Sequence, residues 1–334
     1  MTVSRKILLC RRPVDMFTEA CFEVVEAPVP EPGDGEAVVK IEYLSLDPAM
    51  RGWVRDEPSY LPPVQLGDVM RSGAAGRIVA SKNPSLPVGA AVMGLLGWQE
   101  HALIGGNTGA IANALPDGVD LLDSLSLFGS TGVTAYFGLL DIGQPKEGDT
   151  IVVSGAAGGV GSIAGQIAKI VGCRVVGIAG TKEKCSWVVD ELGFDACIDY
   201  RTENVVDALR EACPNGIDVY FDNVGGDILD AALQNMNDFG RIVACGMISR
   251  YNDAEPEPGP RHINNIVTRR LRMQGFIVID FLPRFAEAAM QLAVWAAEGK
   301  LKNRVQVVDG FLSAPTAVNM LFTGANTGKL VVKL

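Results

Sequence analysis

A strand–turn–helix signature over residues 150–171 constrains this chain more than any other feature. Thr150–Ser154 reads TIVVS, β-branched and apolar; residues 155–161 read GAAGGVG; and SIAGQIAKIVG continues as an amphipathic helix. Glycines at 155, 158 and 161 let backbone N–H groups approach a pyrophosphate, where a helix N-terminus adds partial positive charge. Such glycines on their own also serve close packing, so the spacing is a weak signal. The strand before and the helix after make it the opening unit of a dinucleotide-binding fold.

The rhythm downstream extends that unit. Strands are predicted at Thr150–Ser154, Arg174–Ala179, Ala196–Asp199, Asp218–Asp222, Arg241–Cys245 and Met273–Ile279. Helices fall near 160–171, 182–192, 203–213 and 227–238, with another over roughly 283–300. The strands are almost continuously apolar, as burial on both faces of a parallel sheet requires. Six of them make a full doubly wound parallel Rossmann sheet. Residues 1–128 read differently. EAVVKIEYL alternates, and PEPGDG and PSLPVG punctuate short strands, which predicts a β-rich, barrel-like domain. The expected class is therefore α/β, with one domain at 129–299 and the other at 1–128 and 300–334.

Charge and composition narrow the partners. A net charge of −10 argues against nucleic acid and against an anionic membrane surface. The first apolar run, Ile7 to Cys10, is far short of a signal peptide, and no stretch approaches the ~20 apolar residues of a membrane span. A cytoplasmic enzyme is the expectation. Seven widely spaced cysteines contain no CxxC pair, so neither a disulfide framework nor a zinc knuckle is indicated. His101 and His262 are the only histidines, and His101 reads as a structural imidazole.

NAD-binding folds place an acid at the end of the second strand for the adenine ribose hydroxyls. Here that strand ends in Gly180-Thr181-Lys182-Glu183-Lys184. Small residues and two lysines suit a 2′-phosphate, so NADP(H) fits better. Glu183 is the counter-signal, and Lys182 and Lys184 could also be an ordinary solvated face.

At this point longer strings become specific. LSLDPAMRGWV, SYLPPVQLGDVMRSG, LFGSTGVTAYFGLL, YFDNVGG, CGMISRYN, RLRMQGFIVID and GANTGKLVVKL follow in order along the chain. It resembles the zinc-free branch of the medium-chain dehydrogenase/reductase superfamily, in the group of prostaglandin, curcumin and other NADPH-dependent alkenal/one reductases. The resemblance implies a GroES-like first domain and a cofactor held by Gly158, Gly159, Val160 and Gly161. It sets Lys184 at the 2′-phosphate, Tyr200 near the adenine ribose and Asn223 on the cofactor backbone. Cys245, Gly246, Met247, Ile248, Ser249 and Tyr251 would line the nicotinamide, with Phe276, Ile277, Val278 and Asn326 completing its pocket. At the zinc-ligand positions of metal-dependent relatives this chain has Leu46-Asp47-Pro48 and Gly67-Asp68-Val69, so no metal is expected.

The implied reaction adds hydride to the β-carbon of an enal or enone and leaves an enolate that needs hydrogen-bond donors. Tyr251 and Tyr60 are the candidate catalytic phenols, and water is the alternative proton donor. Ala49, Met50, Arg51 and Tyr60 are the candidate substrate pocket. Relatives commonly carry a tyrosine where this chain has Ala49, which predicts a wider pocket. Arg51 is either a carboxylate holder or a domain-anchoring salt bridge, and Cys245 is expected to pack beside the cofactor. Quinone reduction is the runner-up, a non-enzymatic NADPH-binding protein comes third, and a homodimer is expected.

Overall fold

A computed structural model describes residues 3–106, 108, 110, 112–255 and 258–334. The chain divides into two compact units. One comprises Met1–Leu125, Val305–Asn326 and Leu330–Leu334, and the other Ser126–Arg304 with Thr327–Lys329.

The second unit is built on six parallel strands: β1 (Thr150–Ser154), β2 (Arg174–Ala179), β3 (Ala196–Asp199), β4 (Ile217–Asp222), β5 (Met236–Ala244) and β6 (Arg272–Gly275). Their order across the sheet is β3-β2-β1-β4-β5-β6, the doubly wound Rossmann arrangement. Six helices position it: α1 (Ser130–Phe137), α2 (Gly159–Ile170), α3 (Lys182–Ser186), α4 (Val205–Ala212), α5 (Gly226–Asn235) and α6 (Phe285–Ala297). Successive strand residues serve opposite faces, which is why the strands are apolar throughout. Ile151, Val153, Val219 and Phe221 meet Ile163, Ile167 and Leu292 on one side. Val152, Tyr220 and Ile242 meet Leu209, Leu229 and Leu233 on the other.

Three expectations change. The helix expected over 227–238 ends at Asn235, and the strand expected at Arg241–Cys245 already starts at Met236. The predicted helix over 182–192 is α-helical only to Ser186 and continues as a wider π-type turn over Trp187–Glu191. The predicted strand Met273–Ile279 stops at Gly275. The chain then turns into a 3-10 helix, Val278–Arg284, whose start is fixed by Asp280 accepting from the Ile277 N–H at 3.3 Å. An aspartate directly after an apolar run competes with sheet pairing in this way.

The first unit carries a seven-stranded sheet centred on Glu36–Leu46, which pairs antiparallel with Ala74–Ser81, His101–Gly105 and the terminal strand Lys329–Lys333. Val3–Leu9 and Phe22–Pro28 form a separate antiparallel pair. Leu44, Leu46, Ile78, Ile104, Leu330 and Val332 fill the core between them.

Candidate active site

The glycine turn is the first element of the site. Gly155 has φ +61°, a left-handed conformation that favours glycine. Gly161 is there for proximity: a Cβ at that position would lie 2.3 Å from the Gly155 carbonyl oxygen. The N-cap of α2 is Gly158, which has no side chain to accept from the first-turn amides. The helix thus opens on backbone amides at the end where its dipole is positive, and the cradle fits a pyrophosphate. A second strand of chain backs it, with the Gly328 N–H donating to the Ala157 carbonyl at 2.7 Å. Lys329 follows; it is buried, and its stem lies against Gly159. Sequence reasoning passed over Lys329 because it sits in a terminal strand far from the motif.

At the carboxyl ends of β2 and β3 the parallel register sets Ala179 opposite Asp199. Lys184 stands on the first turn of α3, where its backbone N–H donates to the Thr181 hydroxyl at 3.3 Å. Tyr200 covers Gly180 so closely that a Cβ there would come within 3.1 Å of the ring. The Arg201 guanidinium lies over the same ring, 5.8 Å from the Tyr200 centroid. Burial, then the charge of Arg201, holds the Lys184 ammonium below its ordinary pKa. Two cations held together in a chain of net charge −10 suit a phosphate ester.

Two further loops, after β4 and β5, are laced together by their backbones. The N–H groups of Cys245 and Gly246 donate to the Asp222 carbonyl at 2.9 and 3.0 Å. Those of Ile248 and Ser249 reach the Asn223 and Val224 carbonyls at 3.2 Å each. Asn223 donates its amide to the Ser154 carbonyl at 2.7 Å, tying the turn to the end of β1. Its visible task is therefore to shape the turn. Tyr251 folds back over this loop, and its oxygen accepts from the Met247 N–H at 3.2 Å. Burial, with Asp222 near by, pushes the Cys245 thiol up to about 12, so it is no nucleophile at neutral pH.

Asp222 is a second residue that sequence reasoning missed. Its Oδ1 accepts from Ser154 Oγ, Tyr220 OH and the N–H groups of Val224 and Gly225, all at 2.9–3.0 Å. Phe276, in contrast, turns its ring into the bend after α1, where a Cβ on Gly138 would lie 2.5 Å from it. Ile277 and Val278 open the 3-10 turn instead of extending the strand. Asn326 is buried in the stretch that leads to the terminal strand.

In the first unit, Ala49 precedes the short helix Met50–Trp53. Met50 is fully buried among core residues and is not a pocket wall. Arg51 anchors the start of the chain through its backbone. It is 2% exposed and donates to the carbonyls of Asp15, Val14 and Pro13 at 2.9, 3.0 and 3.3 Å. Tyr60 remains accessible, and its hydroxyl accepts from Trp53 Nε1 at 2.8 Å. Partial burial raises its phenol above the ordinary range against the pull of that hydrogen bond.

Known proteins match this layout. A family model described as the N-terminal domain of oxidoreductase matches residues 5–111, and one described as zinc-binding dehydrogenase matches 159–295. The NADPH-dependent curcumin reductase of Escherichia coli is 41% identical over 336 residues, covering 99% of this chain and 97% of the relative. The chain belongs to the medium-chain dehydrogenase/reductase superfamily, in the curcumin and prostaglandin reductase group. Prostaglandin reductase 1 of Bos taurus is 40% identical to this medium-chain reductase, over 95% of this chain and 94% of the other. The crystal structure of CurA from Vibrio vulnificus in complex with NADPH superposes with a TM-score of 0.93 at 42% identity, covering 98% of each chain. The zinc in one family description does not fit this reductase: among the described residues no three His, Cys, Asp or Glu side chains converge to hold a metal. His101, for one, is spent on the Ser4 hydroxyl at 3.1 Å. Nor does any helix among the described residues have the length and apolarity to cross a membrane.

Proposed function

We propose that this reductase uses NADPH to saturate the carbon–carbon double bond of α,β-unsaturated aldehydes or ketones. The observation that carries the reading is Tyr251, a phenol whose oxygen is held by Met247 N–H on the loop after β5, at the carboxyl end of the sheet where ligands of such folds collect. Relatives named for curcumin and prostaglandin reduction support the substrate class.

Bound NADPH would supply the hydride. The amides of Gly159, Val160 and Gly161 would hold its pyrophosphate, and Lys184 and Tyr200 its 2′-phosphate end. Met247, Ser249 and the Asn223 turn would line the nicotinamide. As hydride reaches the β-carbon, charge moves to the carbonyl oxygen, and a phenol donor stabilises it as it develops. Tyr251 is assigned that role and the delivery of a proton to the α-carbon. Tyr60 is the second donor. A phenol is protonated at neutral pH and suits both tasks.

Consumption of NADPH absorbance with 2-nonenal, a phenyl enone and a naphthoquinone tests the reading. Enal and enone turnover is expected. Turnover of the quinone alone would make the chain a quinone reductase, and none at all, with NADPH still bound, would remove the enzymatic reading. Tyr251→Phe should lower kcat by about 10²-fold. An unaltered rate would pass the role to Tyr60 or water.

We also propose a homodimer formed along β6. That strand ends the sheet order, and its four residues are all exposed.

A further inference from the structure

Arg71 is held in place more firmly than its own side chain requires. Its neighbours are clamped on both sides. Met70 donates to the Ile7 carbonyl at 3.0 Å and accepts from Trp98 N–H at 2.8 Å, and Ser72 accepts from Gly97 N–H at 3.0 Å. The Ser72 hydroxyl donates to the Ser45 carbonyl at 2.7 Å, and both Met70 and Ser72 are fully buried. The guanidinium is thereby aimed at the Trp53 ring, 5.8 Å from its centroid. Trp53 in turn presents Nε1 to the Tyr60 oxygen, so one indole joins the cation to the phenol.

The Nη1 of Arg71 is buried and has no hydrogen-bond acceptor among the described residues. A buried cationic donor without an acceptor is costly and rare in folded proteins. Arg51, twenty positions earlier, shows the ordinary solution with its backbone carbonyls. Tyr60 adds to the asymmetry. Its oxygen is occupied as an acceptor from Trp53, so what it offers beyond that pair is its own O–H. The donor left wanting is the charged one, Arg71 Nη1, and what it lacks is an anionic oxygen.

We propose that Arg71 receives a carboxylate of the ligand, so that the preferred substrates are enones that also carry an acid group. Guanidinium and carboxylate match as a planar, charge-assisted pair, and the buried Nη1 gains the acceptor it lacks. The substrate class rests on the enone reduction proposed above; the carboxylate site does not.

Titration calorimetry on the NADP⁺-loaded protein with levulinate and methyl levulinate tests the site without turnover. Levulinate should bind at least about tenfold more tightly than its ester, and Arg71→Gln should bring the two within about twofold. Arg71→Lys should keep part of the preference, and thermal melting of each variant reports whether it is folded. In turnover, the kcat/KM ratio of acetylacrylate to methyl acetylacrylate should fall about tenfold or more in Arg71→Gln. Equal affinity of acid and ester in the unaltered protein would overturn the proposal. So would a kcat that falls alike for acid and ester with their ratio unmoved, which would make Arg71 an enolate stabiliser. Should no enone be reduced while levulinate binding still depends on Arg71, enone reduction fails and the carboxylate site stands.

Discussion

Four donors converge on one oxygen of Asp222, and its Oδ2 is buried with no partner among the described residues. Burial raises the carboxyl above the ordinary aspartate range, and the hydrogen bonds from Gly225, Val224, Tyr220 and Ser154 offset only part of that. A raised acid binds its proton more tightly in the native state than in the unfolded chain. Its contribution to stability therefore falls as pH rises from the ordinary aspartate value through the raised one. Asp222→Asn keeps an oxygen for the four donors and removes the charge. Denaturant midpoints should place the variant above the parent at pH 7, with the gap closing towards pH 4; a variant less stable at both would show that the carboxylate itself holds the turn. Lys184 carries the cofactor prediction. Lys184→Ala should raise the Kd for NADPH about tenfold or more with little effect on NADH, read by quenching of protein fluorescence, and an unchanged ratio would refute its role. Residue types were legible in the sequence where a motif marks them, as at Gly161. The difference between Arg51 and Arg71 was not, because it depends on which carbonyls a distant segment (Pro13 to Asp15) brings within reach.

Elements were legible where burial and period agree. The bounds of β1, β2 and β3 follow from β-branched runs closed by glycine, charge or a turn, since such a run buried on both faces has few other places to go. β6 was overextended because FIVI after Gly275 has the composition of a strand, while the local hydrogen bond from Ile277 N–H to Asp280 turns the backbone away from the sheet. The α2 helix sits where it does because Gly161 permits it. Gly161→Ala would put a methyl group 2.3 Å from a backbone oxygen that cannot rotate aside. The turn and helix must separate, at a cost of ~1–3 kcal/mol for overpacking of this kind. A melting temperature lowered by several degrees and a loss of NADPH affinity are expected together. A variant that melts lower yet binds NADPH unchanged would mean that the first-turn amides do not hold the pyrophosphate.

For the whole molecule, charge and sheet edge set the remaining expectations. A net charge of −10 repels an anionic cofactor at long range, so the cations must be local, and Lys184 with Arg201 is where they are found together. An unpaired sheet edge has the opposite consequence, because it offers open N–H and carbonyl groups to another chain. β6 carries such an edge, with Met273 exposed in its middle and pairing on one side to β5. Proteins that keep an edge strand single protect it with proline, a bulge or inward charge, and RMQG has neither proline nor an interruption of its register with β5. Pairing of β6 with its copy would join two six-stranded sheets and bury Met273. Met273→Lys then buries a charge on each side of a two-fold seam and should shift the protein from dimer to monomer in light scattering at micromolar concentration. The melting temperature of the monomer should fall with it, because association stabilises the folded state by mass action. A parent protein already monomeric at that concentration would remove the dimer, and a variant still dimeric would move the interface to another surface.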